Sequence, residues 1–188
     1  MKRNLSIPSA IVLAGAAVLL ALSIQFPWWG MEFIAPQYPE GLDIIVYPDK
    51  MEGQIDIING LNHYIGMKEF SEESFPELQY LPYIIYGMAS LILAAAIIRN
   101  KKFLYGIIGL FAVGGVIGIY DIHRWLKDFG TDLDPKAPIT IEPFVPPILG
   151  ENVLANFVTH SYFTTGSFIL GAAFLLLLFP LWKDRGQA

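Results

Sequence analysis

Residues able to do chemistry are sparse in this sequence. It holds three histidines and no cysteine, so disulfides, thiolate zinc sites, iron–sulfur clusters and a thiolate-bridged copper centre are excluded within the chain. The first histidine lies in INGLNHYIGM, residues 58–67, where Met67 follows His63 by four positions. Imidazole and thioether suit copper, and an i, i+4 pair shares one face of a helix. His123 and His160 flank the third and fourth apolar runs at similar depth, so a bis-histidine haem is a second arrangement, although one turn from the lipid edge is shallow for haem. The plain alternative is that each imidazole bonds a neighbouring loop or interfacial water. The expectation is therefore no cofactor. Copper held by His63, Met67, His123 and His160 is the alternative, with haem or quinone behind it.

A second constellation is YDIHRWLKDFG, residues 120–130. Ionisable groups at a membrane boundary are costly unless paired, and Asp121 and Arg124, three apart, would bridge on one helical face. A quinol pocket would use Asp121 or His123 to take protons and Trp125 to stack on the ring. A helix-end anchor needs the same residues only as a salt bridge and a belt tryptophan, and is the reading preferred.

The elements that must position these groups follow from composition. The chain has 188 residues, 54% hydrophobic and 15% charged, with mean hydropathy +0.50, well away from the roughly 45–50% and 25% of ordinary globular chains. Four runs, about 7–29, 81–98, 103–122 and 163–182, approach or exceed the roughly 20 apolar residues that cross a bilayer as helix. The first reads as a retained anchor rather than a signal peptide, because it is too long for an h-region and ends in FPWWG instead of a small-x-small site. Lys2, Arg3, Arg99, Lys101, Lys102, Lys183 and Arg185 crowd the three shortest segments with a single acid, Asp184. The positive-inside rule places those segments in the cytoplasm. This predicts an all-α integral membrane protein of one domain, 1–188, with four transmembrane helices and both termini inside. It is expected to be multi-pass, with its two longer loops facing the periplasm or cell exterior.

Function must then be sought in the two outer loops, about 30–80 and 123–162, which carry fifteen of the other sixteen acids, with Asp121 at the outer end of the third span. LDIIVY and ITIEPF read as short strands, and Ile58, Leu61 and Ile65 have the spacing of an amphipathic helix that would pack down onto the bundle. Five prolines shape the second loop. Gly114 and Gly118 form a GxxxG pair, expected as a packing seam within the bundle or with a partner chain. No charged residue lies deep in a span, which argues against an ion pump, and no basic tract with interleaved aromatics points to nucleic acid.

Three stretches of the outer loops resemble the NosB family, small four-span membrane proteins encoded beside Sec-exported nitrous oxide reductases. They are YPEGLDIIVYPDKMEG with INGLNHYIGM, then YDIHRWLKDFGTDLDPKAPI, and PPILGENVLANF, together about a third of the chain. The family-like positions are Asn62, His63, Tyr64, Gly66, Met67, Tyr120, Asp121, Arg124, Trp125, Asp134 and Pro135. Residues 159–165 depart from the family, which is richer in glycine and proline there. The resemblance implies a non-catalytic accessory subunit, in contact with the lipid bilayer and with the periplasmic copper reductase or its electron donor. Copper delivery and quinol oxidation are the alternatives. It transfers no catalytic residue.

Overall fold

The computed structural model describes residues 5–154 and 157–185. Lys2 and Arg3, and Ala155 and Asn156 of the third family-like stretch, lie outside them. Helix α1 (Ile7–Leu22) starts at Ser6, whose hydroxyl accepts the Ser9 amide, and carries Pro8 in its first turn, where no intrahelical donor is missed. The apolar run continues to residue 29, but the helix does not. One 3-10 turn (Ser23–Gln25) follows, and Phe26 is extended at φ −120°, ψ 149°, because a residue before proline is pushed out of the α region.

The chain then enters strand β1 (Trp29–Ala35), followed by β2 (Tyr38–Val46), β3 (Met51–Gly53) and helix α2 (Ile55–Ile65). Helix α3 (Glu77–Ile98) turns through Arg99 into α4 (Lys101–Thr131), and strands β4 (Gly150–Leu154) and β5 (Phe157–Phe163) lead to α5 (Thr165–Lys183). The helical segments Ile7–Gln25, Glu77–Ile98, Lys101–Thr131 and Thr165–Lys183 are long and apolar enough to cross a membrane.

The expectation of an all-α fold is corrected by a five-stranded antiparallel sheet in the order β3-β2-β1-β5-β4. Its central strands, β1 and β5, adjoin apolar helices in sequence, so hydropathy merged Trp29 and Phe163 into the spans. Alternation is the signal that distinguishes them. Trp29, Met31 and Phe33 face the core beside Val46, Ile44 and Leu42 of β2, and beside Phe163, Ser161 and Thr159 of β5. LDIIVY is a strand as expected. ITIEPF is not, because Pro138, Pro143, Pro146 and Pro147 crowd the segment and deny ladder donors.

The third span is also longer than expected. Helix α4 continues nine residues past Ile122, to Thr131, because Ile122, Leu126 and Phe129 keep a helical stripe. Ile122 and Leu126 pack on Trp29 and Met31 of the sheet.

In the bundle, α1 lies between α3 and α5. Leu13, Ala16 and Leu20 are fully buried with Ile92, Ala173 and Leu177. Gly114 and Gly118 do not serve this seam. Residues 112–120 are exposed on every side, and a Cβ at either glycine would meet nothing within 4 Å. The close seam runs along the alanines of α1 instead.

The connections sort the molecule into two ends. At one, Leu5 donates to the Arg99 carbonyl (2.7 Å), Ser6 to the Asp184 carboxylate (3.1 Å) and Lys101 to the Asp184 carbonyl (2.6 Å). At the other, the sheet, α2 and the last turns of α4 form a cap. Helix α2 packs there through Ile58 on Leu42 and Ile44. It seats on the sheet rather than on the bundle as expected, because the strand face supplies the apolar surface that its stripe needs.

Candidate functional site

The family-like stretch INGLNHYIGM forms α2 and its C-terminal turn. Helix α2 stops at Ile65 because Gly66 adopts the left-handed conformation, φ 77°, which costs glycine little. The amides of Gly66 and Met67 both donate to the Asn62 carbonyl. Asn62 is buried, and its side-chain amide donates to the Lys68 carbonyl at 3.3 Å. One turn earlier, Asn59 accepts the Phe70 amide (2.7 Å) and donates to the Phe70 carbonyl (2.8 Å). The two asparagines thereby fold residues 66–70 back along the helix.

This corrects the expected His63–Met67 helix face. Met67 lies beyond the helix end and is buried, whereas His63 is exposed on it.

The second family-like stretch closes on this turn. Asp134 donates its amide to the Gly66 carbonyl (2.8 Å), and Ile139 donates its amide to the Tyr64 carbonyl (2.9 Å). Asp134 also caps its own turn, its carboxylate accepting the Lys136 amide at 2.8 Å. A Cβ on Gly66 would sit 2.8 Å from the Asp134 oxygen and 2.9 Å from the Ala137 methyl, so the approach requires glycine. Lys68 spans Asp128 and Asp132, both at 2.8 Å, and hydrogen bonding first to Asp128, then to Asp132, holds its ammonium above the ordinary lysine range. Gly66, Met67, Lys68 and residues 132–135, including Pro135, line a shallow open depression of about 340 Å³.

The clasp leaves two apolar side chains in solvent. Tyr64 is 56% and Ile139 53% exposed, with their backbones joined.

Beneath the clasp runs an aromatic stack that ties the loop to α4. Phe70 stacks on Phe129 with centroids 4.5 Å apart, Phe75 lies 5.6 Å from Phe129, and Phe75 lies 4.6 Å from Trp125. The Arg124 guanidinium covers the Trp125 ring at 4.6 Å. It also bridges Asp121 (2.8 Å), as the sequence predicts, and Glu77 (2.7 Å) at the start of α3. Asp121 and Trp125, the residues a quinol pocket would use, are thus engaged in an inter-helix anchor. The indole nitrogen of Trp125 and the second Glu77 oxygen are buried without a partner among the described residues.

Tyr120 and His123 lie exposed on α4. His160 precedes the last helix, as the sequence places it, and lies within β5, opposite Glu32 and Glu151. Among the described residues, no cluster of three His, Cys, Asp or Glu side chains is arranged to hold a metal ion.

Sequence reasoning missed Lys68, Phe70, Phe75, Glu77, Phe129 and Ile139. Only Phe129 carried a local signal, standing four residues after Trp125 on one helix. The others meet α4, or for Ile139 the end of α2, across 47 or more positions, as Glu77 and Arg124 do, and no local pattern encodes that.

Fold and site together define a bundle of four membrane-length helices carrying a mixed α/β cap, with an exposed clasp on the cap. No protein-family model matches the sequence, and no curated protein matches it.

Proposed function

We propose that the chain is a non-catalytic membrane subunit of a nitrous oxide reductase system. It sits in a bacterial inner membrane with its cap in the periplasm, and docks the copper reductase or its electron donor there. The observation that carries the reading is the clasp. Two family-like stretches, some seventy residues apart in sequence, are hydrogen-bonded into one rigid surface that presents Tyr64 and Ile139 to solvent. An exposed tyrosine–aliphatic pair on a preorganised backbone suits a binding hot spot, since tyrosine brings large area at small entropic cost. Arg99, Lys101, Lys102, Lys183 and Arg185 at the opposite end of the bundle favour the cap-outside orientation.

The test is purification from native membranes in mild detergent, with metal and pigment analysis. Co-purification of the reductase or its donor is the expected result, with retention reduced in Tyr64→Ala. Bound copper or haem with neither protein present would replace this reading.

A further inference from the structure

We propose that the solvent side of the five-stranded sheet is a second docking face, for a soluble protein bearing a basic patch. Helices α2 and α4 cover the inner side of the sheet through Ile58 and Leu126, which leaves the outer side to solvent and places it away from the clasp. The register builds that side in rows. Glu32 stands opposite Asp43 on β2 and His160 on β5, and His160 stands opposite Glu151 on β4. One line of Asp43, Glu32, His160 and Glu151 therefore crosses four strands. A flanking row of Ile34, Val158 and Val153 runs parallel to it, with Val153 68% exposed.

Charges of one sign directly opposite each other across strands are destabilising. The fold nevertheless keeps Glu32 against Asp43 and sets no lysine or arginine in the row. The nearest base by register, Lys50, is committed to Glu52. Residues 26–80 and 121–163 hold sixteen acids and five bases, and Lys50, Lys68 and Arg124 are already in ion pairs. Tyr162, over Gly30 beside the row, registers the resulting field. Burial first, then the charges of Asp43 and Glu32, hold its hydroxyl above the ordinary tyrosine range.

A row of three carboxylates and one imidazole, with no lysine or arginine in it and aliphatic side chains beside it, suits positive charge from outside. The same sign disfavours a second copy through this face and repels anionic lipid headgroups. What fits is a basic protein surface whose lysines or arginines meet the row and whose apolar rim meets Ile34, Val158 and Val153.

The test uses the full chain in zwitterionic nanodiscs and horse cytochrome c as a basic globular probe. Binding is measured by interferometry over a salt series. Affinity is expected to fall with salt, and about tenfold in the triple variant Glu32→Gln, Asp43→Asn, Glu151→Gln. His160→Lys, which places a fixed cation in the row without removing an acid, is expected to weaken binding too, and serves if the triple variant misfolds. A matched control, Asp56→Asn with Glu69→Gln and Glu73→Gln, should change affinity less than about twofold. Equal losses in control and row variants, or no loss in either row variant, would overturn the proposal. So would binding of the nanodiscs to anionic vesicles through the row. Tyr64→Ala leaves probe binding unchanged, so failure of reductase docking and failure of this face are read separately.

Discussion

The amide of Ile139 donates to the carbonyl of Tyr64 at 2.9 Å. That bond joins the end of α2 to a proline-rich segment that has no secondary structure of its own, and both residues remain more than half exposed. Truncating Tyr64 or Ile139 to alanine removes contact area while leaving the backbone bond in place. Binding of the docked protein is expected to weaken by about 1–2 kcal/mol per site, whereas stability changes by less than about 0.5 kcal/mol. Co-purification yield and thermal melts of the same variants separate the two effects. Equal binding by Tyr64→Ala and wild type would remove the clasp from the interface.

Gly66→Ala tests the clasp from beneath. The left-handed conformation alone costs a non-glycine residue about 1–2 kcal/mol, and the added methyl meets Asp134 backbone atoms at 2.8 and 3.0 Å. The variant should melt measurably lower and expose the 132–139 segment to limited proteolysis. A wild-type digestion pattern would contradict this account.

Phe129 is 3% exposed and contacts Phe70, Phe75 and Trp125. Phe129→Ala leaves a cavity between α4 and the loop, and should destabilise the cap by about 3–4 kcal/mol. Denaturation followed by near-ultraviolet circular dichroism reads the loss of the stack directly.

Arg124 couples α3 and α4 through Glu77 and Asp121 while covering Trp125. The pairs are partly exposed, so Arg124→Ala should cost only about 1 kcal/mol. Arg124→Lys should recover little of it, because a lysine cannot reproduce the fork and the stacking together. Indole fluorescence offers a second readout, since Trp125 gains solvent in both variants.

At the opposite end, Asp184 supplies a pH-dependent contribution. Burial opposes its ionisation, but the Ser6 amide and hydroxyl, the Ser9 hydroxyl and the Lys101 charge outweigh it and hold the carboxyl below the ordinary aspartate value. A depressed carboxyl stabilises the fold above its unfolded pKa of about 4 and loses that contribution as pH falls through the lower folded value. Asp184→Asn should therefore lower stability at neutral pH and narrow its gap to wild type as pH drops below about 4. Melts between neutral pH and pH 3 check the sign. A gap that widens towards acid would refute it.

The membrane-length helices, the strand in LDIIVY, the helix in INGLNHYIGM and the Asp121–Arg124 bridge were legible because each is a local regularity. Hydropathy over twenty residues, alternation over six and a three-residue spacing each report a near-neighbour effect. The sheet was half legible. β1 and β5 have alternating patterns, but both abut apolar helices, and hydropathy does not see the junctions at Pro27 and Thr164.

By itself the sequence determined which segments are apolar enough to enter lipid, which carry the charge, and which backbone positions are forced by proline or glycine, because those are properties of residues and their neighbours. Only the tertiary structure decided that Met67 turns away from His63, and that His160 stands in a row of carboxylates. It also decided that Glu77 answers Arg124 and that Tyr64 and Ile139 share one surface. Those outcomes depend on strand register and on where α4 ends. Both are set by which apolar faces bury each other at long range, after the loops have closed.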